Sequence, residues 1–322
     1  MSTEIPFHTT NSDDDRPPLA LIAGPTASGK SDCALRLGLA LANAERKAVI
    51  INADSAQLYA DLPILSAAPS AQDTAQVPHR LYGAWDGAQS CSAADWAVRA
   101  KAEVAAAHAV GAVPILVGGT GLYMRTLLEG IAPVPAIDPA IREAVRAMPV
   151  AQAHAALLAE DPERAARLAP ADSTRIARAL EVVRSTGRTL AYWQTRTEGG
   201  IGGDVALHPL VLLPDRAWLY ERCDRRFAQM MAGGAVPEVA ALLARGLDTA
   251  LPVMRAIGVA EIAAFLRGEC DETAAIARGA QATRNYAKRQ YTWFRHQPPP
   301  GWVRHTTPED FDPARLFVSL FH

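Results

Sequence analysis

The sequence lacks the usual features of exported, disulfide-bonded and membrane-spanning proteins. It has four scattered cysteines, Cys33, Cys91, Cys223 and Cys270. They form no Cys-x-x-Cys pair and have no histidine at metal-ligand spacing, which argues against a disulfide framework or a zinc site. No apolar run reaches the ~20 residues of a membrane span. Residues 1–16 have neither a basic start nor an apolar stretch, so we expect a disordered tail and no signal peptide. We therefore predict a cytoplasmic protein with no membrane partner, and a monomer.

Acidic residues are absent from one long segment, although the formal net charge of the whole chain is −2. No Asp or Glu occurs from Thr273 to Arg304, and the segment is rich in Arg and Lys. One face of the helix predicted there carries Arg284, Lys288, Tyr291 and Arg295. A basic stripe beside aromatic side chains suits an RNA backbone with bases to stack. The alternative is a C-terminal helix that packs its aromatic rings and solvates its charges.

A second basic patch lies in STRIARALEV, where Arg175 and Arg178 are three residues apart on one predicted helix face. A single basic helix is usually only a solvated surface. Two basic helices in separate parts of the chain favour a clamp for a nucleic acid.

Short apolar strands alternate with helices over the first 130 residues. Strands are predicted at Leu19 to Ala23, Ala48 to Ile51 and Val113 to Val117, and Ser92 with Asp95 fits a capping box that opens a long helix. This alternation predicts an α/β fold with a parallel sheet flanked by helices.

The pattern changes after Gly130. A Pro-punctuated linker leads into short helices without strands, and a strand resumes at His208. Three helical stretches to about Arg295 are predicted after that strand, followed by a short ordinary tail after Pro298-Pro299-Pro300. We therefore predict an all-helical domain over 137–203, inserted into a core formed by 17–136 and 204–322.

The motif GPTASGKS matches G-x-x-x-x-G-K-[ST] in full. It consists of Gly24, Pro25, Thr26, Ala27, Ser28, Gly29, Lys30 and Ser31. It lies between a predicted strand and a predicted helix, where backbone N–H groups and the helix N-terminus bind phosphate. Lys30 adds a positive charge, and the Ser31 hydroxyl is expected to bind Mg²⁺. The flanking strand and helix argue against a chance match on a Gly-rich turn.

The residues beside this motif give little support to ATP hydrolysis. That reaction normally requires an acidic residue at the end of a neighbouring strand to hold Mg²⁺, but the strand VPILV ends in Gly118-Gly119-Thr120. The only well-placed acid is Asp54, which is either a functional carboxylate at the ligand-binding edge of the sheet or a turn residue bonded to its own backbone. Thr120 is either a phosphate ligand or a small residue in a tight turn.

Together these segments resemble the tRNA dimethylallyltransferase family, also called the tRNA isopentenyltransferases. The similarity runs from about Leu19 to Arg295. Its longest motifs are NADSAQLY (52–59), PILVGGTGLYMRTLLEG (114–130), DSTRIARALEV (172–182) and ATRNYAKRQYTWFR (282–295). The resemblance implies a P-loop NTPase-like core in which the phosphate loop holds dimethylallyl diphosphate instead of ATP.

The resemblance also implies the reaction. The family transfers a dimethylallyl group to N6 of the adenine 3′ of the anticodon, in tRNAs that read codons starting with U, and releases diphosphate with Mg²⁺ as cofactor. Asp54 resembles the general base, and Lys30 and Thr120 are expected to stabilise the leaving diphosphate. Arg222 resembles an arginine near the active centre.

The family's tRNA contacts correspond to a further set of residues in this chain. They are Asp54, Ser55, Ala56, Gln57, Thr120, Arg142, Thr174, Arg175, Ile176, Ala177, Arg178, Arg255, Lys288, Arg289, Tyr291, Trp293 and Arg295. Two other interpretations stay open: a small-molecule kinase that uses ATP through the same loop, and an RNA-binding relative without catalytic activity.

Overall fold

The computed structural model describes residues 15–322. Of the predicted tail over 1–16, only Asp15 and Arg16 are therefore among the described residues.

Six parallel strands form one sheet at the centre of the structure. They are β1 (Pro18–Ala23), β2 (Ala48–Asn52), β3 (His79–Arg80), β4 (Val113–Gly118), β5 (Ala206–Leu212) and β6 (Val303–His305). Their order across the sheet is β3-β2-β4-β1-β5-β6, and every neighbouring pair is parallel. The predicted α/β fold with a parallel sheet is confirmed.

The helices between and after the strands are α1 (Lys30–Asn43), α2 (Ala71–Gln76), α3 (Ala93–Ala109), α4 (Gly121–Glu129), α5 (Pro139–Ala147), α6 (Val150–Glu160), α7 (Pro162–Ala166), α8 (Ser173–Thr186), α9 (Leu190–Trp193), α10 (Arg216–Met230), α11 (Val236–Ala244), α12 (Val259–Leu266), α13 (Glu272–His296) and α14 (Pro313–Leu316). Single 3₁₀ turns occur at Ser55–Leu58, Val253–Arg255, Pro308–Asp310 and Val318–Leu320. The predicted capping box at the start of α3 is present, with Ser92 and Asp95 bonded to each other's backbone N–H groups. It satisfies N–H groups that the first turn of a helix leaves without partners.

The chain divides into two compact units. The first comprises Met1–Leu127 and Ile201–His322, and the second comprises Leu128–Gly200. The helical insertion predicted over 137–203 thus lies mostly within the second unit.

The core of the first unit lies between the sheet and α1. Buried strand side chains such as Ile22, Ile115 and Leu212 pack with Leu37 and Leu41 of α1. The C-terminal segment, for which the sequence predicts only an ordinary tail, adds Phe311, Phe317 and Leu320 to this core and contributes β6. That prediction was wrong because edge strands this short carry no periodicity.

The second unit is entirely helical between α5 and α9. Its core contains Leu157 of α6 and Ile176, Ala179 and Leu180 of α8, all fully buried. Helix α8 begins at the cap residue Asp172 and ends at Gly187, whose φ of 66° is a left-handed conformation that favours glycine.

One helical segment among residues 15–322, Arg216–Ala244, is long and apolar enough to span a membrane by length and composition alone. Core helices of soluble proteins pass the same test. This segment is interrupted at Met231–Ala235, where Gly234 has a φ of 112°. The expectation that the protein has no membrane partner stays a prediction.

Candidate active site

The phosphate loop connects β1 to α1 at the carboxyl edge of the sheet. Two of its glycines are required by geometry. Gly29 has a φ of 89°, and a Cβ on Gly24 would lie 2.8 Å from the carbonyl oxygen of Leu212 in β5. The Lys30 side chain is buried, and its Nζ donates to the carbonyl oxygen of Pro25 at 3.4 Å. The loop therefore folds around its own lysine.

Asp54 lies two residues beyond β2 and faces Lys30. Its Oδ1 accepts a hydrogen bond from the Ala56 N–H at 3.1 Å, while its Oδ2 is 3.8 Å from Lys30 Nζ. The buried Asn52 orients the segment, since its Oδ1 accepts from the Asp54 N–H and its Nδ2 donates to the Asp54 carbonyl oxygen. The sequence left a turn role and a functional role open for Asp54, and the geometry allows both, with one oxygen for each.

Thr120 follows β4 and contacts the Asp54 segment. Its Oγ1 accepts from the Ser55 N–H at 3.0 Å and lies 3.2 Å from Ser55 Oγ. Tyr286 of α13 hydrogen-bonds with both Thr120 and Ser55, and burial raises its pKa. Thr120 thus supports Ser55 and Tyr286, which line the adjacent cavity, and is not itself among the lining residues.

This cavity has a volume of about 330 Å³. Its charged and polar lining includes Thr26, Lys30, Ser31, Asp54, Ser55, Gln57, Arg226, Tyr286 and Arg289. Its apolar lining includes Leu62, Leu65, Phe227, Met230 and Ile257. A cavity that combines convergent charges with a large apolar lining suits a ligand with an anionic part and a hydrocarbon part.

Burial lowers the pKa of two basic side chains of the cavity. For Lys30, the neighbouring Asp54 carboxylate partly offsets that shift. For Arg226, Asp54 again partly offsets the shift. Desolvation thus disfavours the charged form of both side chains, and a bound anion would favour it.

The arginine of α10 that lines the cavity is Arg226 and not Arg222, which the sequence singled out. Both lie on α10, one turn apart. The Nε of Arg222 donates to the Ala27 carbonyl oxygen of the phosphate loop at 3.0 Å, and its guanidinium lies over the Trp218 ring. Arg222 thus supports the loop from behind. The motif LYERCDRRF contains three arginines, and only the phase of α10 shows which one enters the cavity.

The residues predicted to bind tRNA in the first unit fall into three groups. Ser55, Ala56, Gln57 and Arg255 line the cavity. Lys288, Arg289 and Arg295 are exposed on α13. Tyr291 and Trp293 are half-buried, Tyr291 beneath Arg216 and Trp293 against Gly121, where a Cβ would lie 2.5 Å from the indole ring. Tyr291 and Trp293 are thus largely packing residues, while Lys288, Arg289 and Arg295 are exposed.

In the second unit, exposed arginines surround one buried carboxylate. Glu181 is 1% exposed and lies 2.9 Å from Arg146, 3.9 Å from Arg178 and 4.0 Å from Arg142. Arg146 is an addition to the predicted set. It lies four residues after Arg142 on α5, a spacing that places both side chains on one face of the helix. One carboxylate beside three guanidinium groups leaves a local excess of positive charge.

The remaining predicted residues of α8 differ in exposure. Thr174 and Arg175 are exposed, and Arg175 pairs with Asp172 at 2.7 Å. Ala177 is partly exposed, whereas Ile176 is fully buried in the core of this unit. The structure therefore leaves Ile176 no side-chain surface for RNA, because it falls on the apolar face of the amphipathic helix.

The donor set beside the phosphate loop fits Mg²⁺. Residues 15–322 contain no group of three or more His, Cys, Asp and Glu side chains that could hold a metal. Magnesium, however, usually binds through one or two protein oxygens, several waters and substrate phosphates. Ser31 and Asp54, which both line the cavity, supply oxygen donors of that kind. The Mg²⁺ cofactor itself stays a prediction.

A phosphate loop at the carboxyl edge of a parallel sheet, opening into a half-apolar cavity, defines a P-loop α/β protein. The family model described as IPP transferase matches residues 57–297. A protein from Erythrobacter litoralis named tRNA dimethylallyltransferase is 67% identical over 95% of this chain and 96% of its own length. The chain therefore belongs to the IPP transferase family.

Solved structures agree with this assignment. The full-length tRNA isopentenylpyrophosphate transferase from Bacillus halodurans is 30% identical, with a TM-score of 0.66 and 95% of each chain covered. A eukaryotic dimethylallyltransferase acting on tRNA, 23% identical, has a TM-score of 0.77, with 92% of this chain and 76% of that chain covered. At that identity the second likeness shows the fold alone.

Proposed function

We propose that the protein transfers a dimethylallyl group from dimethylallyl diphosphate to N6 of the adenine 3′ of the anticodon in tRNA. The observation that carries this proposal is the pairing of Asp54 with Lys30 in one cavity, with their charged atoms 3.8 Å apart and apolar side chains around them. The carboxylate would accept the proton of the attacking amine, and the cation would bind the leaving diphosphate. The two groups are close enough to act on both sides of C1 of the donor.

The donor would bind with its diphosphate on the phosphate loop. Backbone N–H groups of the loop and the N-terminus of α1 attract the anion, and Lys30 adds a formal charge. The dimethylallyl group would contact apolar lining residues such as Leu65, Phe227 and Met230. A kinase would have no use for this apolar lining next to the terminal phosphates.

The acceptor requires a base because the lone pair of an exocyclic adenine amine is delocalised into the ring. Asp54 would take a proton from N6 as the nitrogen bonds to C1 of the donor. The bond between C1 and the bridging oxygen breaks, and diphosphate leaves with that electron pair. Oδ1 stays bonded to the Ala56 N–H, so Oδ2, which faces Lys30 at 3.8 Å, is the oxygen that would accept the proton.

The leaving group gains negative charge as the bond breaks. Lys30 and Arg226, both lowered in pKa by burial, would stabilise that charge without large reorganisation. Mg²⁺ held by Ser31 and diphosphate oxygens would supply further positive charge. Arg222 would act indirectly, by holding the Ala27 carbonyl of the loop.

The target adenine must leave its stack to reach a buried site, as base-modifying enzymes require. The exposed cations of α13, with Arg289 lining the cavity, are suited to the RNA backbone near that base. The arginines around Glu181 in the second unit would contact further phosphates. We expect the substrates to be tRNAs that read codons starting with U, in the cytoplasm.

The test is the transfer of label from radioactive dimethylallyl diphosphate to unmodified tRNA by purified protein with Mg²⁺. Hydrolysis of ATP is measured in parallel. Label in tRNA without ATP consumption supports the proposal. Consumption of ATP without labelled tRNA would favour the kinase alternative, and tRNA binding with neither reaction would favour the inactive relative.

A further inference from the structure

Gln290 is a buried polar side chain that the reaction above does not use. It lies on α13 and is 6% exposed. Its Oε1 accepts a hydrogen bond from the Thr26 N–H of the phosphate loop at 2.8 Å, and its Nε2 donates to the Gly119 carbonyl oxygen after β4 at 2.8 Å. One amide thus joins two catalytic loops that are distant in sequence.

Gly119 lies directly against the amide of Gln290. A Cβ on Gly119 would lie 2.3 Å from Gln290 Nε2 and 3.2 Å from Asp54 Oδ2. The neighbouring loop backbones are also bonded directly, since the Gly24 N–H donates to the Gly118 carbonyl oxygen at 3.3 Å. Gln290 therefore lies where the phosphate loop, the loop after β4 and the Asp54 segment meet.

The primary amide of Gln290 satisfies both partners. It offers one acceptor for the Thr26 N–H and one donor for the Gly119 carbonyl, and both partners would otherwise be buried polar groups. Removing the amide leaves both groups unsatisfied. The phosphate loop would then keep its backbone bond at Gly24 but lose the side-chain link that fixes Thr26 beside the loop after β4.

We propose that Gln290 is a positioning residue that holds the phosphate loop in register with Asp54 and so sets the diphosphate site. The inference deepens the proposed function and rests on it for the identity of the ligand. It assigns to α13 a second task beside its exposed cations, because the buried face of the same helix fixes the geometry of the cavity.

The first test compares Gln290→Met with wild type in the binding of inorganic diphosphate with Mg²⁺, followed by calorimetry. Methionine has a similar volume but makes neither hydrogen bond. We expect the Kd for diphosphate to rise about tenfold or more, while the Kd for unmodified tRNA stays within about twofold. Gln281→Met is the matched control, because Gln281 is an exposed glutamine on the same helix that bonds only to residues of α13.

The second test uses Gln290→Glu, whose protonation can be varied. The protonated acid accepts from Thr26 and donates to Gly119, whereas the ionised form cannot donate and adds negative charge near Asp54. The ratio of its diphosphate affinity to that of wild type should therefore rise as the pH is lowered. A residue that matters only for folding would not show this dependence in a variant that is folded at every pH used.

Three results would overturn the proposal. The first is a Gln290→Met variant with wild-type affinity for diphosphate. The second is a Gln290→Glu affinity ratio that does not change with pH. The third is a parallel loss of tRNA affinity and thermal stability in Gln290→Met, which would assign the residue to packing alone. Because diphosphate binding is read without prenyl transfer, a wild-type protein that binds diphosphate but does not modify tRNA would refute the proposed function and leave the Gln290 inference intact.

Discussion

The cavity of the first unit and the arginine cluster of the second unit hold their charges in opposite ways. In the cavity, Lys30 and Asp54 are 7% and 6% exposed and are oriented by backbone groups. In the cluster, the carboxylate of Glu181 is buried, but the side chains of Arg142, Arg146 and Arg178 remain 42–65% exposed.

The two arrangements suit two different functions, catalysis and RNA binding. Charges fixed in a partly desolvated site can stabilise developing charge without reorganising, which favours a chemical step. Exposed cations attract an RNA backbone, and that attraction weakens as salt increases. Substitutions in the cavity should therefore change turnover, whereas substitutions in the cluster should change tRNA affinity and its salt dependence.

The largest effect is expected from Asp54→Asn. The amide still accepts from the Ala56 N–H but no longer removes a proton, so turnover should fall by about 10²–10⁴-fold. Transfer of label into tRNA under saturating substrates measures the loss, and tRNA binding should be retained. Asp32→Asn, on the exposed face of α1, is the control. An active Asp54→Asn variant would show that Asp54 is not the general base.

The next largest effect is expected from Lys30→Met, which removes the cation proposed to contact the leaving group. We predict a loss of about 10²–10³-fold in turnover, the magnitude seen when one such electrostatic contact is removed. The exposed Lys47→Met is the matched control. Equal losses in both variants would mean that the effect comes from overall charge and not from the cavity.

The pH dependence of donor binding follows from the lowered pKa of Lys30. Bound diphosphate favours the charged amine of Lys30. The affinity for the donor is therefore full below the pKa that Lys30 has in the free protein, and it declines as the pH rises through that pKa. This pKa lies below the ordinary 10.5. Calorimetry with dimethylallyl diphosphate measures this decline. Lys30→Arg should lack it, because a guanidinium remains charged. A wild-type profile identical to that of Lys30→Arg would contradict the assignment.

A smaller effect is expected from Arg178→Gln in the second unit. Loss of one phosphate contact should weaken tRNA binding several-fold and reduce the slope of log affinity against log salt by about one. Donor affinity should not change. Arg184→Gln is the matched control, because Arg184 is paired one-to-one with Glu160 at 2.6 Å. If both variants bind tRNA equally well, the cluster is no RNA surface.

The smallest effect on activity is expected from Ile176→Val, which separates packing from RNA contact. Loss of one methylene from the core of the second unit should lower the free energy of unfolding by about 0.5–1.5 kcal/mol. Denaturant unfolding measures this change. The affinity for tRNA should be unchanged. A loss of affinity in a fully folded variant would mean that Ile176 contributes to RNA binding.

Sequence reasoning succeeded where the signal is local. The phosphate loop, the strands around it and the capping box of α3 each depend on a short run of residues, and the structure has all of them. It missed the two-residue β3 and the three-residue β6, because such short edge strands show no alternation. It also predicted three helical stretches after β5, where the structure has four from α10 to α13.

The parts of the site that escaped prediction depend on contacts that are distant in sequence. Arg226 enters the cavity only because of the phase of α10. Gln290 meets Thr26 across 264 residues, and Arg146 meets Glu181 across 35. No spacing rule along the chain signals such pairs, since they exist only once the helices have packed.

The central claim is tested most directly by identifying the nucleoside that the protein modifies. Unmodified tRNA is incubated with the protein, Mg²⁺ and dimethylallyl diphosphate, then digested and analysed by mass spectrometry. The account predicts one dimethylallyl group on N6 of the adenosine 3′ of the anticodon, and none with Asp54→Asn. A dimethylallyl group at another nucleoside, or a tRNA that remains unmodified in the presence of folded wild-type protein, would contradict it.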